Sequence, residues 1–212
     1  MSDYAMYIPY VNRPDLLDKA FNSAWDLRAN LSIIDNSKDG LDRPFPGIFV
    51  MRPPVPLTFS QTMNWMLADS RRHGASICMW MHSDAEAAEG SALALLGAAR
   101  VALDAGVKWG VLFTNYDAMS AINLKAVEEV GEFDTNLPQY FSDNDYYRRM
   151  KLAGWDCMET GIDVHHEASQ TIKSDPEREF LNGKTFPLYE RYYVSRWGGA
   201  PGHEVFKTPF GR

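Results

Sequence analysis

One stretch constrains this chain more than any other: residues 77–86, ICMWMHSDAE. Ile77 to Met81 are apolar without alternation, the pattern of a strand covered on both faces, and such strands belong to parallel sheets packed between helices. The run then stops in His82, Ser83, Asp84 and Glu86. A buried strand that ends this way carries polar side chains to the rim of the sheet, where open α/β folds bind their ligands. Met79, Trp80 and Met81 read most simply as core.

The rest of the chain can be ordered around that strand. Residues 4–11 (YAMYIPYV) read as a first strand, and Pro14 opens a helix with Leu16, Leu17, Ala20, Phe21, Ala24 and Trp25 at helical spacing. Residues 31–34 form a β-rich run ending in Asp35, Asn36 and Ser37; residues 38–46 form a turn-rich loop and residues 47–51 a third strand. Thr58 and Gln61 fit a capping box for a helix that buries Phe59, Met63, Met66 and Leu67. Beyond the central strand the spacing predicts a helix over 89–105, a strand over 107–114, a short helix over 123–130 and a loop over 131–139. A helix over 143–153 and a weaker strand over 155–164 then lead into His165 and His166. This alternation predicts an α/β, Rossmann-like domain with a mainly parallel, mixed central sheet flanked by helices. With 212 residues, 45% of them hydrophobic, the chain supports one sizeable core. The expected organisation is a domain over 1–174 and a short helical and aromatic tail over 175–212 packed on it; of Tyr192, Tyr193 and Trp197 at least two are expected to pack against the core, the alternative being that they shape the acceptor side.

The formal net charge is -7, which argues against a nucleic-acid surface, since that would need a basic stripe. An anionic ligand would instead be held locally, by a helix N-terminus or a metal ion. Cys78 and Cys157 lie in apolar stretches, so no disulfide framework is expected and a reducing compartment is the default. Asp3, Arg13 and Asp15 crowd the N-terminus, and no run of eighteen apolar residues occurs. Neither a signal peptide nor a membrane span is expected, which points to a cytoplasmic protein.

Four groups of residues carry candidate chemistry. Asp84 stands where a divalent cation bridging a diphosphate would want a carboxylate, at the mouth of a rigid strand. Side chains alternate along a strand, so an Asp84 that faces the cleft brings His82 with it, toward a ribose or the metal, and turns Ser83 away. The alternative is that these residues only begin a loop and cap the next helix. Asp143 and Asp145 offer a general base, but they lie about 200° apart on a helix, so only one can face a given cleft. N-capping by Ser142 or Asp143 is the other reading, and the helix dipole there would lower a carboxylate's pKa. His165 and His166 point to opposite faces of an extended segment, so at most one can reach a manganese ion also held by Asp84; a structural or exposed pair is the alternative. Asp35 could accept the N3 proton of a uracil beside the flat surface of Pro9 and Tyr10, or could form an Asx turn with Ser37 and Asp39. Arg71, Arg72 and His73 close the Thr58 helix where its dipole favours cations, and Arg71 could reach a phosphate.

With those residues in hand, the chain resembles family 2-type glycosyltransferases of the GT-A fold, from IPYVNRPDLLDKAF through IIDNSKDG, TMNWMLADSRRHGASICMWMHSDAE and VGEFDTNLPQYFSDNDYYRRMKLAGW to VHHEASQT. Gly131, Phe133 and Asp134, followed by Asp143, Asp145, Arg149 and Gly154, are its most specific part. The resemblance implies that Asp35 lies near the uracil and that Asp84 is the last carboxylate of the metal-binding Asp-x-Asp motif. It further implies that Asp143 is the catalytic base of an inverting enzyme and that His165 or His166 joins the metal. The chain departs from the family at His82, where the first Asp of the motif usually stands. Arg196, Trp197, Gly198 and Gly199 resemble the ends of viral glycosyltransferases, which would put the protein in a host cytoplasm.

The function so implied is Mn2+- or Mg2+-dependent transfer of a hexose or deoxyhexose from a UDP-sugar to a hydroxyl of a glycan or glycoprotein acceptor. The donor-side residues would be Pro9, Tyr10, Asp35, Arg71, His82, Ser83 and Asp84, with residues 115–121 and the tail on the acceptor side. Two rivals remain. A nucleotidyltransferase making the nucleotide sugar would show a glycine-rich, basic phosphate loop after the first strand, where this chain reads YVNRPD. A binding protein without turnover would need Asp35 and Asp84 but no base.

Overall fold

The computed structural model describes residues 2–167 and 170–212, the side chain of Tyr116 excepted. Strand β1 (Tyr4–Tyr10) lies inside a seven-stranded sheet, third from one edge, with helix α1 (Pro14–Ser23) and a 3-10 turn (Trp25–Asn30) leading to β2 (Leu31–Asp35) and β3 (Phe49–Met51) on one side of it. Helix α2 (Phe59–Arg72) returns the chain to β4 (Ile77–Met81), the predicted central strand, on the other side. A short strand β5 (Ala85–Ala87), helix α3 (Ser91–Asp104) and β6 (Trp109–Phe113) follow, then β7 (Met119–Asn123), α4 (Leu124–Val130), α5 (Ser142–Leu152) and β8 (Asp156–Glu159). The sheet order is β3-β2-β1-β4-β7-β6-β8, parallel except for β7, which runs antiparallel to both neighbours. The chain closes with β9 (Val164–His166), the single turn α6 (Gln170–Lys173) and the long helix α7 (Pro176–Trp197).

The unbroken apolar run of β4 has the expected cause. Ile77, Met79 and Met81 join one core with α1 and α3, while Cys78 and Trp80 join a second with α2, α4 and α5. Both faces are therefore covered, and β4 has no solvent side on which to place a polar residue until it leaves the sheet. The capping box at Thr58 and Gln61 is formed and starts α2 there.

Three expectations need correction. Residues 119–123 form β7, every residue of it buried, and the short helix starts only at Leu124 behind an Asn123 cap. The segment after Asp84 does not run straight into a helix. Ala85–Ala87 pair antiparallel with Val164–His166 in a separate two-stranded ribbon, so Glu86 belongs to a strand, and α3 begins behind Gly90. The tail holds a 22-residue helix, entered through an Asp175 cap and Pro176 and ended at Gly198. Its last turns carry Tyr193 and Trp197, fully buried with Leu137, whereas Phe180, Leu181 and Leu188 stay exposed.

Candidate functional site

The ribbon of β5 and β9 assembles the first half of the site. In its register Ala85 faces His166 and Glu86 faces His165, which brings His166 beside the turn that ends β4. His82, Asp84 and His166 there offer three donor atoms within 4.8 Å of one another. His166 Nε2 lies 3.1 Å from Asp84 Oδ1, and the backbone N–H of Gln170 donates to Asp84 Oδ2 at 3.1 Å. The imidazoles of His82 and His166 stack at 4.9 Å, and Trp80 meets His82 edge-on. His165, on the other face of β9, is exposed beside the exposed Glu86 and takes no part in the cluster.

The electrostatics suit a cation. Burial works against the charge on Asp84, but the His166 hydrogen bond, the two imidazoles and the Gln170 N–H together hold its carboxyl below the usual range. Burial, and then the proximity of His166, push His82 down to about 4, so at neutral pH its ring is uncharged and has a free nitrogen lone pair. Two imidazoles and one carboxylate on a rigid rim are a fitting donor set for a divalent transition metal, with positions left for ligand oxygens.

The second half is a cavity of about 630 Å3 lined by Phe113, Asn115, Asp117, Asp143 and Glu159. Asp143 reaches it because α5 starts at Ser142 behind Phe141, a residue in the left-handed conformation, with no side-chain cap. Neither Ser142 nor Asp143 serves as the N-cap. Burial pushes the Asp143 carboxyl up, against the pull of backbone N–H groups at its helix end, so desolvation outweighs the dipole. Asp145 turns the other way, into the core, where Arg149 Nε and Trp197 Nε1 both donate to it at 2.9 Å. The two carboxylates that sequence could not tell apart are thus one in the cavity and one in the core.

Asp117 was not singled out in the sequence. It sits at φ +53 in the turn between β6 and β7, accepts a hydrogen bond from the Tyr147 hydroxyl at 2.7 Å, and leaves its Oδ1 buried without a partner. The only sequence signal for it is the polar Asn-x-Asp of a turn between two apolar runs. Hydrogen bonds join this turn to the cluster of His82, Asp84 and His166: His82 N–H donates to Ala118 O at 3.0 Å, and the side-chain amide of Asn115 donates to Val164 O at 2.8 Å and accepts from Val164 N at 3.0 Å, next to His165 in β9.

The other predicted residues divide. Pro9 and Tyr10 end β1, with Tyr10 opposite Asp35 in the parallel register. Asp35 is buried in the Asx turn that the sequence permits, its Oδ1 accepting from Ser37 N at 3.0 Å and its Oδ2 from Leu41 N at 2.9 Å, with Arg52 3.9 Å away. Ser83 is buried in the turn closed by Ala85 N to His82 O. Arg71 is not brought to this rim. It ends α2, just before the chain enters β4 at its amino end, and pairs with Glu132 at 3.7 Å. That is the end of β4 away from His82.

No protein-family model matches the sequence, and no curated protein does. Solved structures do. GalNAc-T7 in complex with UDP, GalNAc and Mn2+ superposes with a TM-score of 0.56 at 11% identity, over 91% of this chain and 50% of that one. TarS of S. aureus gives 0.59 at 11% identity, over 91% of this chain and 40% of that one, and its 1–349 fragment gives 0.50 at 10%. The chain therefore spans about half the length of these proteins or less. Likeness at this identity establishes the fold, a GT-A-type, Rossmann-like α/β domain with a seven-stranded mixed sheet flanked by helices.

Proposed function

We propose that the chain is a metal-dependent glycosyltransferase, moving a hexose or deoxyhexose from a UDP-sugar to a hydroxyl of an acceptor glycan with inversion. One observation carries the reading: His82, Asp84 and His166 meet at the carboxyl rim of a GT-A-type sheet, joined by hydrogen bonds to the turn of Asn115 and Asp117, which lines a cavity together with Asp143. The GalNAc-T7 structure, solved with UDP, GalNAc and Mn2+, supports the donor and metal chemistry by analogy of fold.

His82, Asp84 and His166 would hold Mn2+, or Mg2+, which neutralises the charge that develops on a departing diphosphate. Asp143 would accept the proton of the acceptor hydroxyl as its oxygen bonds to the sugar's anomeric carbon, while the bond from that carbon to the diphosphate oxygen breaks and UDP leaves with the electron pair. The raised pKa of a partly buried Asp143 makes it a stronger base at neutral pH than a solvated aspartate. Tyr10 and Asp35 flank the uracil side; Asp35 keeps spare acceptor capacity on Oδ2 for the N3 proton.

The test is a panel of UDP- and GDP-sugars with and without Mn2+, reading thermal shift and donor hydrolysis together. Metal-dependent stabilisation by UDP-sugars is expected, and its absence with every nucleotide overturns the reading. Asp143→Asn should bind UDP-sugar as before and transfer about 100-fold or more slowly, the scale of a lost general base. Full transfer by that variant removes the base assignment and leaves a nucleotide-sugar-binding protein as the better description.

A further inference from the structure

The cavity that holds Asp143 has a chemical character that the base alone does not explain. Of its five lining residues, three are carboxylic acids, one an amide and one an aromatic, and no Lys, Arg or His is among them. The aromatic, Phe113, is held flat against Tyr147 at 5.7 Å with 10° between the rings. Hydrogen-bond acceptors around a single aromatic wall match a sugar ring, whose hydroxyls donate and whose C–H face is apolar. An anionic sugar would meet three carboxyls and no counter-charge.

Asp117 is the odd member of the lining. Its left-handed backbone would be least strained as glycine, and Asp costs more there while contributing nothing to the turn that a glycine would lack, apart from its side chain. That side chain is half satisfied. Tyr147 donates to Oδ2, whereas the covered Oδ1 has no partner; the residue lines the cavity, and a small turn of the carboxyl toward it lets a ligand supply the missing bond. The turn is bonded to the strand of His82 through Ala118 and to β9 through Asn115, so this carboxyl is fixed relative to the metal cluster as well as to Asp143.

We propose that Asp117 is the residue that reads the acceptor: its carboxyl, in the same cavity as the base, hydrogen-bonds a second hydroxyl of an uncharged saccharide, next to the hydroxyl that is glycosylated. This rests on the assignment of Asp143 as base and adds the acceptor class, a neutral sugar with adjacent hydroxyls. Burial, with Asp143 and Glu159 nearby, pushes Asp117 up to about 7 against the Tyr147 hydrogen bond, so near neutral pH the carboxyl can donate as well as accept.

The experiment measures saturation-transfer NMR of methyl pyranosides (gluco, galacto and manno), their 2- and 3-deoxy analogues and methyl glucuronide, with and without UDP and Mg2+, while calorimetry follows UDP separately. The wild type is expected to bind at least one neutral pyranoside, to lose affinity when a neighbouring hydroxyl is deleted, and to reject the glucuronide. Asp117→Gly, which suits the backbone, should weaken that pyranoside about tenfold, as for one lost hydrogen bond to a buried carboxyl, and should no longer distinguish the deoxy analogue. Asp117→Asn should stay within about threefold, since the amide also donates and accepts. Tyr147→Phe removes the same internal hydrogen bond but leaves the carboxyl, so it separates a structural effect from recognition and should keep the deoxy discrimination. Unchanged pyranoside binding by Asp117→Gly, preference for the glucuronide, or no pyranoside binding to a wild type that does bind UDP each overturns the proposal. Loss of UDP binding with Asp117-dependent pyranoside binding intact would instead remove only the donor reading.

Discussion

Asp145→Asn tests how α7 is held to the domain and, with it, the division of labour between the two carboxylates of α5. Asp145 is fully buried; Oδ2 accepts from Arg149 Nε at 2.9 Å, and Oδ1 accepts from Trp197 Nε1 at 2.9 Å, fifty-two residues away in sequence. Arg196 Nε stands 2.9 Å from the same Oδ1, close enough to pair though without hydrogen-bond geometry, and its Nη1 is bound to Asp134. The amide keeps the shape and one acceptor oxygen but removes the charge that offsets two guanidinium groups, both mostly buried. Breaking a buried pair from one side costs about 3–5 kcal/mol when the cation left behind is neither solvated nor paired; Arg196 keeps Asp134 as a counter-charge, so the loss falls mainly on Arg149. Arg149 also bonds Val130 O and Glu132 O, which softens that loss, so about 3 kcal/mol is expected, or roughly 6–12 °C in a domain of this size. Urea unfolding followed by Trp fluorescence reads the stability, and limited proteolysis reads release of α7. Trp197→Phe should cost less, and the double variant less than the sum of the two, since both act on one contact. A loss below about 1 kcal/mol, or strictly additive variants, would refute the buried-network account.

The raised Asp117 carboxyl has a pH signature. A carboxyl that ionises near 7 in the native state and near 3.8 when unfolded retains its proton on folding, so native stability falls as pH rises from about 4 to about 7, by at most about 4 kcal/mol. Asp117→Asn should accordingly match the wild type in urea melts at pH 4 and exceed it at pH 8. Gly199→Ala places a Cβ 2.1 Å from the carbonyl oxygen of His203, a clash that no rotamer relieves, and should cost about 1–3 kcal/mol in the same assay. Gly97→Ala, inside α3 with nothing within 4 Å of the added carbon, should stabilise by about 0.5–1 kcal/mol. His166→Ala removes one of three clustered donors and should weaken Mn2+ binding, read by calorimetry without any substrate, by at least about tenfold.

What sequence could reveal follows how local each signal is. The two-sided burial of β4, the Thr58 box and the helix ends at Gly106 and Gly154 are written within a few residues of where they act. β7 was hidden because Ser120 and Asn123 interrupt its apolar pattern; both are buried, and Asn123 donates to the carbonyl of Trp109 only once β6 lies beside it. α7 was hidden by Gly183 and Pro187, which weaken a helix without ending one whose last turns are anchored by Tyr193 and Trp197. The same limit applies at the site. Which of His165 and His166 turns toward Asp84 is decided by pairing residues 85–87 with 164–166, and which of Asp143 and Asp145 faces the cavity is decided by Trp197. Asp117 matters through a positive φ and a missing partner, and neither can be read from residue types.

His82 gives the proposed site a different charge from that of a two-carboxylate motif, and the difference can be measured. One carboxylate with two neutral imidazoles leaves a bound divalent cation with a net charge of about +1, whereas two carboxylates would bring it to about zero. One unit of charge about 4 Å from a diphosphate oxygen is worth about 1 kcal/mol in water-like surroundings and about 4 kcal/mol at a partly buried rim. At the proposed site the histidine at position 82 would trade some grip on the metal for attraction toward the diphosphate, and would shift preference from Mg2+ toward Mn2+, since imidazole suits the softer ion. His82→Asp should bind Mg2+ more tightly than the wild type does and hold UDP at saturating metal at least about fivefold more weakly, the smaller of those two energies. Calorimetric titration of each metal, then of UDP at saturating metal, reads the two effects separately. Tighter binding of both Mg2+ and UDP by His82→Asp would show that charge at this position is not what tunes the site, and would leave the stacking of His82 between Trp80 and His166 as its only role.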